Sequence, residues 1–179
     1  MADKVTSNRW VYGMAYFGVM MVIILWQILP IQVGPRGYPG PDLLICITFA
    51  WVLRRPQYMP ILLIAAVFLL MDMLFMRPPG LWAALVVVGV EFLRSRISTS
   101  RELPFPVEWA MVSVVLAVMT VANRLILSAL MVQQAGFGLA VLQLIATCLA
   151  YPLIVLLSRL LFDIRRMTPA EIEKMARPR

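Results

Sequence analysis

The sequence predicts an all-α polytopic membrane protein with six transmembrane helices and both termini in the cytoplasm. Of its 179 residues, 62% are hydrophobic and 14% are charged, whereas soluble domains have about 45–50% and about 25%. The apolar residues gather in runs, and the basic residues behind the net charge of +7 stand mostly between and after those runs. They form no contiguous face to follow a phosphate backbone, so the charge indicates membrane topology and not nucleic-acid binding.

Strong helix breakers separate the first three runs. Trp10–Val33 is longer than the h-region of a cleaved signal peptide and predicts an uncleaved first helix. Residues 34–42 are rich in glycine and proline and predict a loop. The second run, Pro41–Leu53, stops at an Arg-Arg-Pro sequence, and the third run covers Pro60–Met76.

Three further runs predict the second half of the bundle. The fourth run, Leu81–Leu93, precedes a polar stretch over 94–106, and the fifth and sixth runs are Val107–Met131 and Gly138–Phe162. The second and fourth runs are short, because thirteen helical residues rise only about 20 Å and the hydrocarbon core is about 30 Å thick. Either run alone is compatible with a re-entrant segment.

The distribution of basic residues favours six full spans. If all six runs cross, Arg36 and Arg77 are the only basic residues of the loops on one side. A re-entrant hairpin would leave Arg54 and Arg55 near mid-membrane at a cost of several kcal/mol for each unpaired charge. An excess of basic residues marks the cytoplasmic side, and here that side holds Lys4, Arg9, Arg54, Arg55, Arg94, Arg96, Arg101, Arg165, Arg166, Lys174, Arg177 and Arg179.

The predicted organisation is therefore a cytoplasmic N-terminus over 1–9, a six-helix membrane domain over 10–162 and a basic cytoplasmic tail over 163–179. Within the tail, Thr168–Glu171 has the order of a capping box and predicts a short helix through about Met175. This segment would rest against anionic headgroups or dock to a cytoplasmic partner.

The residue types of common catalytic and metal sites are missing. The chain has no histidine and two cysteines, Cys46 and Cys148, both inside apolar runs. No GxSxG, P-loop or HExxH sequence occurs. The sequence predicts no enzyme, no metal site and no cofactor.

Four polar residues are predicted to lie together in the outer half of the membrane. Asp42 opens the second helix, Asp72 lies near the end of the third, and Asn123 and Arg124 lie near the end of the fifth. A buried charge needs a partner, so we expect Arg124 to pair with Asp72 or Asp42. This cluster would be either a structural ion pair or a site for a lipid or a partner helix.

Small residues mark one face of the fifth helix. Ala110, Ser113 and Ala117 are spaced so that another helix could approach closely, either within this chain or from a partner. Two acids have simpler interpretations. Glu91 is expected to pair with Arg94 one turn away, and Glu108 suits the N-terminal end of the fifth helix.

The order of these features resembles the rod shape-determining protein family MreD. The resemblance covers roughly Trp10 to Arg166 and rests on the Gly/Pro-rich first loop, then Pro41-Asp42-Leu43-Leu44, then Trp51-Val52-Leu53-Arg54-Arg55-Pro56. Asp72 near the end of the third helix and the basic tail add to it. Pro41-Asp42 and Arg54-Arg55-Pro56 are its most specific parts.

The resemblance implies a non-enzymatic scaffold of the bacterial cell-elongation complex in the inner membrane. MreD proteins associate with MreC, which has one transmembrane helix, and through it with the MreB filament, the RodA glycan polymerase and a penicillin-binding transpeptidase. The family's fold is similar to the six-helix substrate-binding subunits of energy-coupling vitamin transporters.

Two alternatives remain open at the level of sequence. The short second and fourth helices suit a pocket, so the chain could be a transporter subunit that binds a vitamin or lipid. A small lipid-modifying enzyme is the other alternative, and the missing histidine weighs against it.

Overall fold

The computed structural model describes residues 2–29, 40–99, 104–134 and 136–162. Within these ranges the chain forms six α-helices and no β-strand, which confirms the all-α prediction. The helices are α1 (Ala2–Ile28), α2 (Leu43–Arg54), α3 (Ile61–Leu74), α4 (Leu81–Thr99), α5 (Phe105–Ala129) and α6 (Phe137–Phe162). The predicted tail helix, the basic tail and most of the Gly/Pro-rich loop lie outside the described residues.

Three of these helices are long and apolar enough to cross a membrane. They cover Trp10–Ile28, Phe105–Ala129 and Phe137–Ser158. The helices α2 and α3 are apolar but have 12 and 14 residues, and the 19-residue α4 carries three charged side chains near its end. The chain is thus a membrane protein by length and composition of its helices.

Helix α2 lies at the centre of the bundle. It packs against α6, α4 and α1, and every residue from Leu44 to Arg54 is buried. Around it α3 packs against α4, α5 packs against both α4 and α6, and α1 lies against α3. Because α2 is covered by protein, its length of about 18 Å need not match the lipid core.

Three helix boundaries differ from prediction by more than two residues. Helix α1 covers Ala2–Ile28 and not Trp10–Val33, and α4 continues six residues past Leu93 to Thr99. The predicted Glu91–Arg94 pair is confirmed, with the Arg94 Nη1 3.3 Å from the Glu91 Oε1. This pair and a hydrogen bond from the Ser95 hydroxyl to the Phe92 carbonyl satisfy polar groups on the helix, so α4 continues where the apolar run ends.

Helices α3 and α5 end in the same way. Met76 and Met131 have positive φ angles of 50° and 53°. The following amides donate back to the last turn, Arg77 to the Asp72 carbonyl at 3.0 Å and Val132 to the Leu127 carbonyl at 3.0 Å. This is a Schellman ending, in which glycine usually occupies the left-handed position. Both helices stop sharply at the same end of the bundle.

Candidate functional site: a polar cavity and two ends of helix α2

The cavity opens at the end of the bundle where α2 and α6 begin and α5 ends. Its volume is about 540 Å³, within the range of about 300–1,000 Å³ that is usual for small-molecule sites. Three of the four residues predicted to cluster, Asp42, Asn123 and Arg124, line it together. The polar walls also include Arg77, Thr120, Gln133, Gln134, Gln143 and Thr147.

Asp42 holds the beginning of α2 on the cavity wall. Its Oδ1 accepts from the amide of Ile45 at 3.2 Å, an N-cap, and its own amide donates to the Thr147 hydroxyl at 3.0 Å. The Thr147 hydroxyl donates in turn to the carbonyl of Gln143 at 2.7 Å. Asp42 therefore ties α2 to α6 at the mouth of the cavity.

Arg124 lies half-buried near the end of α5 on the opposite wall. Its guanidinium carbon is 5.4 Å from the centre of the Phe137 ring, a cation–π contact with the first residue of α6. Its backbone carbonyl accepts from the side-chain amide of Gln134 at 3.1 Å. The structure thus joins Arg124 to the α5–α6 turn, and the expected pairing with Asp42 stays a prediction.

Asp72 has a different place from the one expected. It does not line the cavity; its Oδ2 accepts from the backbone amides of Gly80 at 3.1 Å and Ala83 at 3.2 Å. These amides belong to the beginning of α4, whose free N–H groups and positive dipole end favour a carboxylate. Asp72 is fully buried, so it fixes the α3–α4 hairpin from within.

The opposite end of α2 carries a buried ion pair. The Arg54 Nη2 is 3.1 Å from the Glu108 Oε1, and the side chains are 0% and 1% exposed. The Tyr151 hydroxyl donates to the same oxygen at 2.7 Å, and the Arg54 Nη1 donates to the Ala50 carbonyl at 2.8 Å. Three helices, α2, α5 and α6, therefore meet at the Glu108 carboxylate.

Arg55 and Pro56, the other two residues of the Arg-Arg-Pro sequence, lie in the connection that follows α2. The Arg55 guanidinium lies 5.9 Å from the centre of the Tyr12 ring on α1, and Tyr12 stacks on Tyr58 at 5.1 Å. Pro56 begins a short 3-10 turn over Pro56–Tyr58. Pro41, at the other end of α2, is exposed and precedes the Asp42 cap. Of these motif residues, Asp42 and Arg54 hold the two ends of α2, and Arg55 contacts α1.

The small-residue face of α5 is partly accessible. Ala110 is exposed, while Ser113 and Ala117 are half-buried. The Ser113 hydroxyl oxygen is itself buried and has no hydrogen-bond partner among the described residues. On the neighbouring side of the helix, the Trp109 indole donates to the Cys148 carbonyl of α6 at 2.8 Å. The face therefore runs beside the α5–α6 contact.

Sequence reasoning missed a polar stripe on α6. Thr147, Tyr151 and Ser158 are buried and spaced by four and seven residues, so they share one helix face. Each bonds to a residue elsewhere in the bundle: Thr147 to Asp42, Tyr151 to Glu108, and Ser158 accepts from the Trp51 indole at 3.3 Å. The spacing of these polar residues along one helix face could have revealed the stripe from sequence.

Comparison of the chain with known protein families, with curated proteins and with solved structures gives no match in any of the three. Among the described residues, no group of three or more histidine, cysteine or acidic side chains is arranged to hold a metal ion. Function must therefore be inferred from the bundle, its cavity and the resemblance in sequence.

Proposed function

We propose that this chain is an MreD-like membrane scaffold of the bacterial cell-elongation complex, without enzymatic activity. The supporting observation is the position of the two most specific segments of the resemblance. Pro41-Asp42 and Arg54-Arg55-Pro56 bracket α2, the buried helix on which the bundle is assembled. Their side chains form caps, an ion pair and a cation–π contact, which are roles suited to a rigid frame.

The proposed topology has six spans in the bacterial inner membrane, with both termini in the cytoplasm. The Arg54–Pro56 segment and the end of α4 would then lie at the cytoplasmic end of the bundle, and the cavity would face the outer leaflet. A short α2 fits this arrangement, because it is surrounded by helices and not by lipid.

The transmembrane helix of MreC is the proposed partner, with MreB, RodA and a penicillin-binding transpeptidase joined indirectly. Ala110, Ser113 and Ala117 are the candidate contact, since small residues allow close helix approach. Co-purification of MreC with Ala110→Leu and Ala117→Leu variants tests this contact. Ala129→Leu, at an exposed position of the same helix outside this face, is the matched control. Equal recovery of MreC with the wild-type protein and with all three variants would place the contact elsewhere.

Depletion of the protein in its bacterial host tests the scaffold itself. Rounded cells with displaced wall synthesis are the expected result, and complementation by the wild-type chain should restore rods. Unchanged cell shape after complete depletion would contradict the proposal.

A second candidate is the ligand-binding subunit of a membrane transporter, and the cavity favours it. That function predicts a small vitamin or lipid in the purified protein, co-purifying ATPase partners, and a vitamin requirement after depletion. Mass spectrometry of the denatured, purified protein for small molecules separates it from the scaffold.

A further inference from the structure

The cavity is lined by both polar and apolar side chains. Its lining includes the polar side chains of Arg77, Asn123, Arg124 and Gln143 together with apolar side chains such as Ile45 and Leu116. Sites for amphiphilic molecules combine a few placed polar groups with an apolar lining in this way. A purely structural gap in a helix bundle would instead be apolar, or small enough for its polar groups to bond to one another.

Trp82 supplies an unused hydrogen-bond donor on the cavity wall. It stands in the first turn of α4 and lines the cavity, and its indole Nε1 is buried without a hydrogen-bond partner in the described part of the chain. Buried N–H groups nearly always have an acceptor. An unpaired buried donor destabilises the folded state, so a ligand with an acceptor oxygen would relieve a cost already present in the fold.

The charge of the lining favours an anion. Among the described residues that line the cavity, two are arginines, Arg77 and Arg124, and one is an acid, Asp42, whose Oδ1 is bonded to the first turn of α2. Guanidinium groups present planar sets of donors that match phosphate and carboxylate oxygens. The side-chain amides of Asn123 and Gln143 add donors without adding negative charge.

The rim favours entry from lipid and not from water. Met76, Val132 and Leu139 line the cavity and are 95%, 39% and 40% exposed. Exposed apolar side chains at the mouth of a charged cavity suit a ligand whose acyl or prenyl chain lies against them and extends into the bilayer. A water-soluble anion would gain nothing from this rim.

We propose that the cavity binds the phosphate headgroup of an anionic membrane amphiphile, with its hydrocarbon chain crossing the apolar rim. Arg124, Arg77 and the Trp82 indole are the donors to the headgroup oxygens. The inference does not rest on the scaffold function, because a transporter subunit with this cavity would bind the same chemistry.

Native mass spectrometry of the purified full chain in detergent tests the proposal, with phosphatidylglycerol and phosphatidylcholine as the two lipid probes. We expect phosphatidylglycerol to bind to the wild-type protein at least tenfold more tightly than phosphatidylcholine does. Glycerol phosphate alone, the water-soluble arm, should bind at least tenfold more weakly than the lipid.

Single substitutions identify the donors. Trp82→Phe keeps the aromatic ring and removes the N–H, and should weaken phosphatidylglycerol binding by roughly fivefold. Arg124→Gln should weaken it by roughly tenfold or more, because charged donors form stronger hydrogen bonds, and Arg124→Lys should recover part of the loss.

Two matched controls exclude general effects of charge and of tryptophan removal. Arg96→Gln removes an exposed arginine at the opposite end of the bundle, and Trp109→Phe removes an indole that donates outside the cavity. Neither should change phosphatidylglycerol binding by more than twofold. Thermal unfolding of each variant checks that it is folded.

Three outcomes would overturn the proposal. Equal binding of the two lipids would exclude an anion site. Equal loss of phosphatidylglycerol binding in Arg96→Gln and Arg124→Gln would show that the lipid responds to surface charge in general and not to this cavity. Tight binding of glycerol phosphate alone would show a site for a soluble anion.

Discussion

The Arg54 guanidinium contacts the Glu108 carboxylate at 3.1 Å across 54 positions of sequence. The contact joins the last turn of α2 to the first turn of α5, and Tyr151 adds α6 through the same oxygen. A charge at this depth is tolerated only when it is paired and hydrogen-bonded. The arginine that is predicted to mark the cytoplasmic end of α2 therefore also fixes the neighbouring helices.

Breaking this ion pair should strongly destabilise the protein. We expect Arg54→Leu and Glu108→Leu each to lower the free energy of unfolding by about 3–5 kcal/mol, since each leaves a buried charge uncompensated. The double variant should lose much less than the sum. Tyr151→Phe should cost about 1–2 kcal/mol. Unfolding in detergent gives these values, and additive losses in the double variant would refute direct pairing.

Asp72 should act on the α3–α4 hairpin independently of Arg124. Asp72→Ala removes the acceptor of two buried amides and should cost about 2 kcal/mol, while Asp72→Asn retains one acceptor oxygen and should cost about half of that. In double-mutant cycles with Arg124→Gln, we expect Asp72→Asn to be additive within about 0.5 kcal/mol and Asp42→Asn to be coupled. Coupling of Asp72 instead would support Asp72 as the partner of Arg124, the other pairing expected from sequence.

Gly89 is required for the close approach of α4 to α2 and α5. A Cβ at this position would lie 2.8 Å from the Met119 sulfur and 3.3 Å from both Phe49 and Val115. Gly89→Val should therefore destabilise by about 1–3 kcal/mol through overpacking.

The matched control for this substitution is Gly18 in α1, where a Cβ would meet nothing within 4 Å. Gly18→Ala should be neutral or stabilise by up to about 1 kcal/mol, because alanine favours the helix. Thermal unfolding of Gly89→Val and Gly18→Ala in the same detergent compares them. A neutral Gly89→Val would show that α4 does not pack this closely.

The elements could be predicted from sequence because each apolar run begins at or directly after a proline, glycine or arginine. All six runs became helices, and α2, α3, α5 and α6 end within two residues of the predicted limits. Helix α4 was underestimated because five of its last six residues are polar, and their helical state depends on local pairs such as Glu91–Arg94.

The site was predictable only in part, because the partners of its residues lie far away in sequence. Asp42, Asn123 and Arg124 could be placed at one depth by counting turns, and they do line one cavity. Counting turns cannot show which way a side chain points. Asp72 was therefore grouped with Arg124 although its oxygen bonds to the α4 amides, and Glu108 was interpreted through its own helix although its partners are Arg54 and Tyr151.

The six-span topology predicts the accessibility of three exposed positions. Met76 and Met131 are each 95% exposed and end α3 and α5 at the cavity end of the bundle, whereas Arg96 is exposed near the other end of α4. In a background of Cys46→Ala and Cys148→Ala, a membrane-impermeant maleimide should label Met76→Cys and Met131→Cys in intact spheroplasts. Arg96→Cys should react only after the membrane is permeabilised, because the positive-inside rule places it in the cytoplasm. Labelling of Met131→Cys but not Met76→Cys would mean that α3 does not end on the outer side, and would contradict the six-span order.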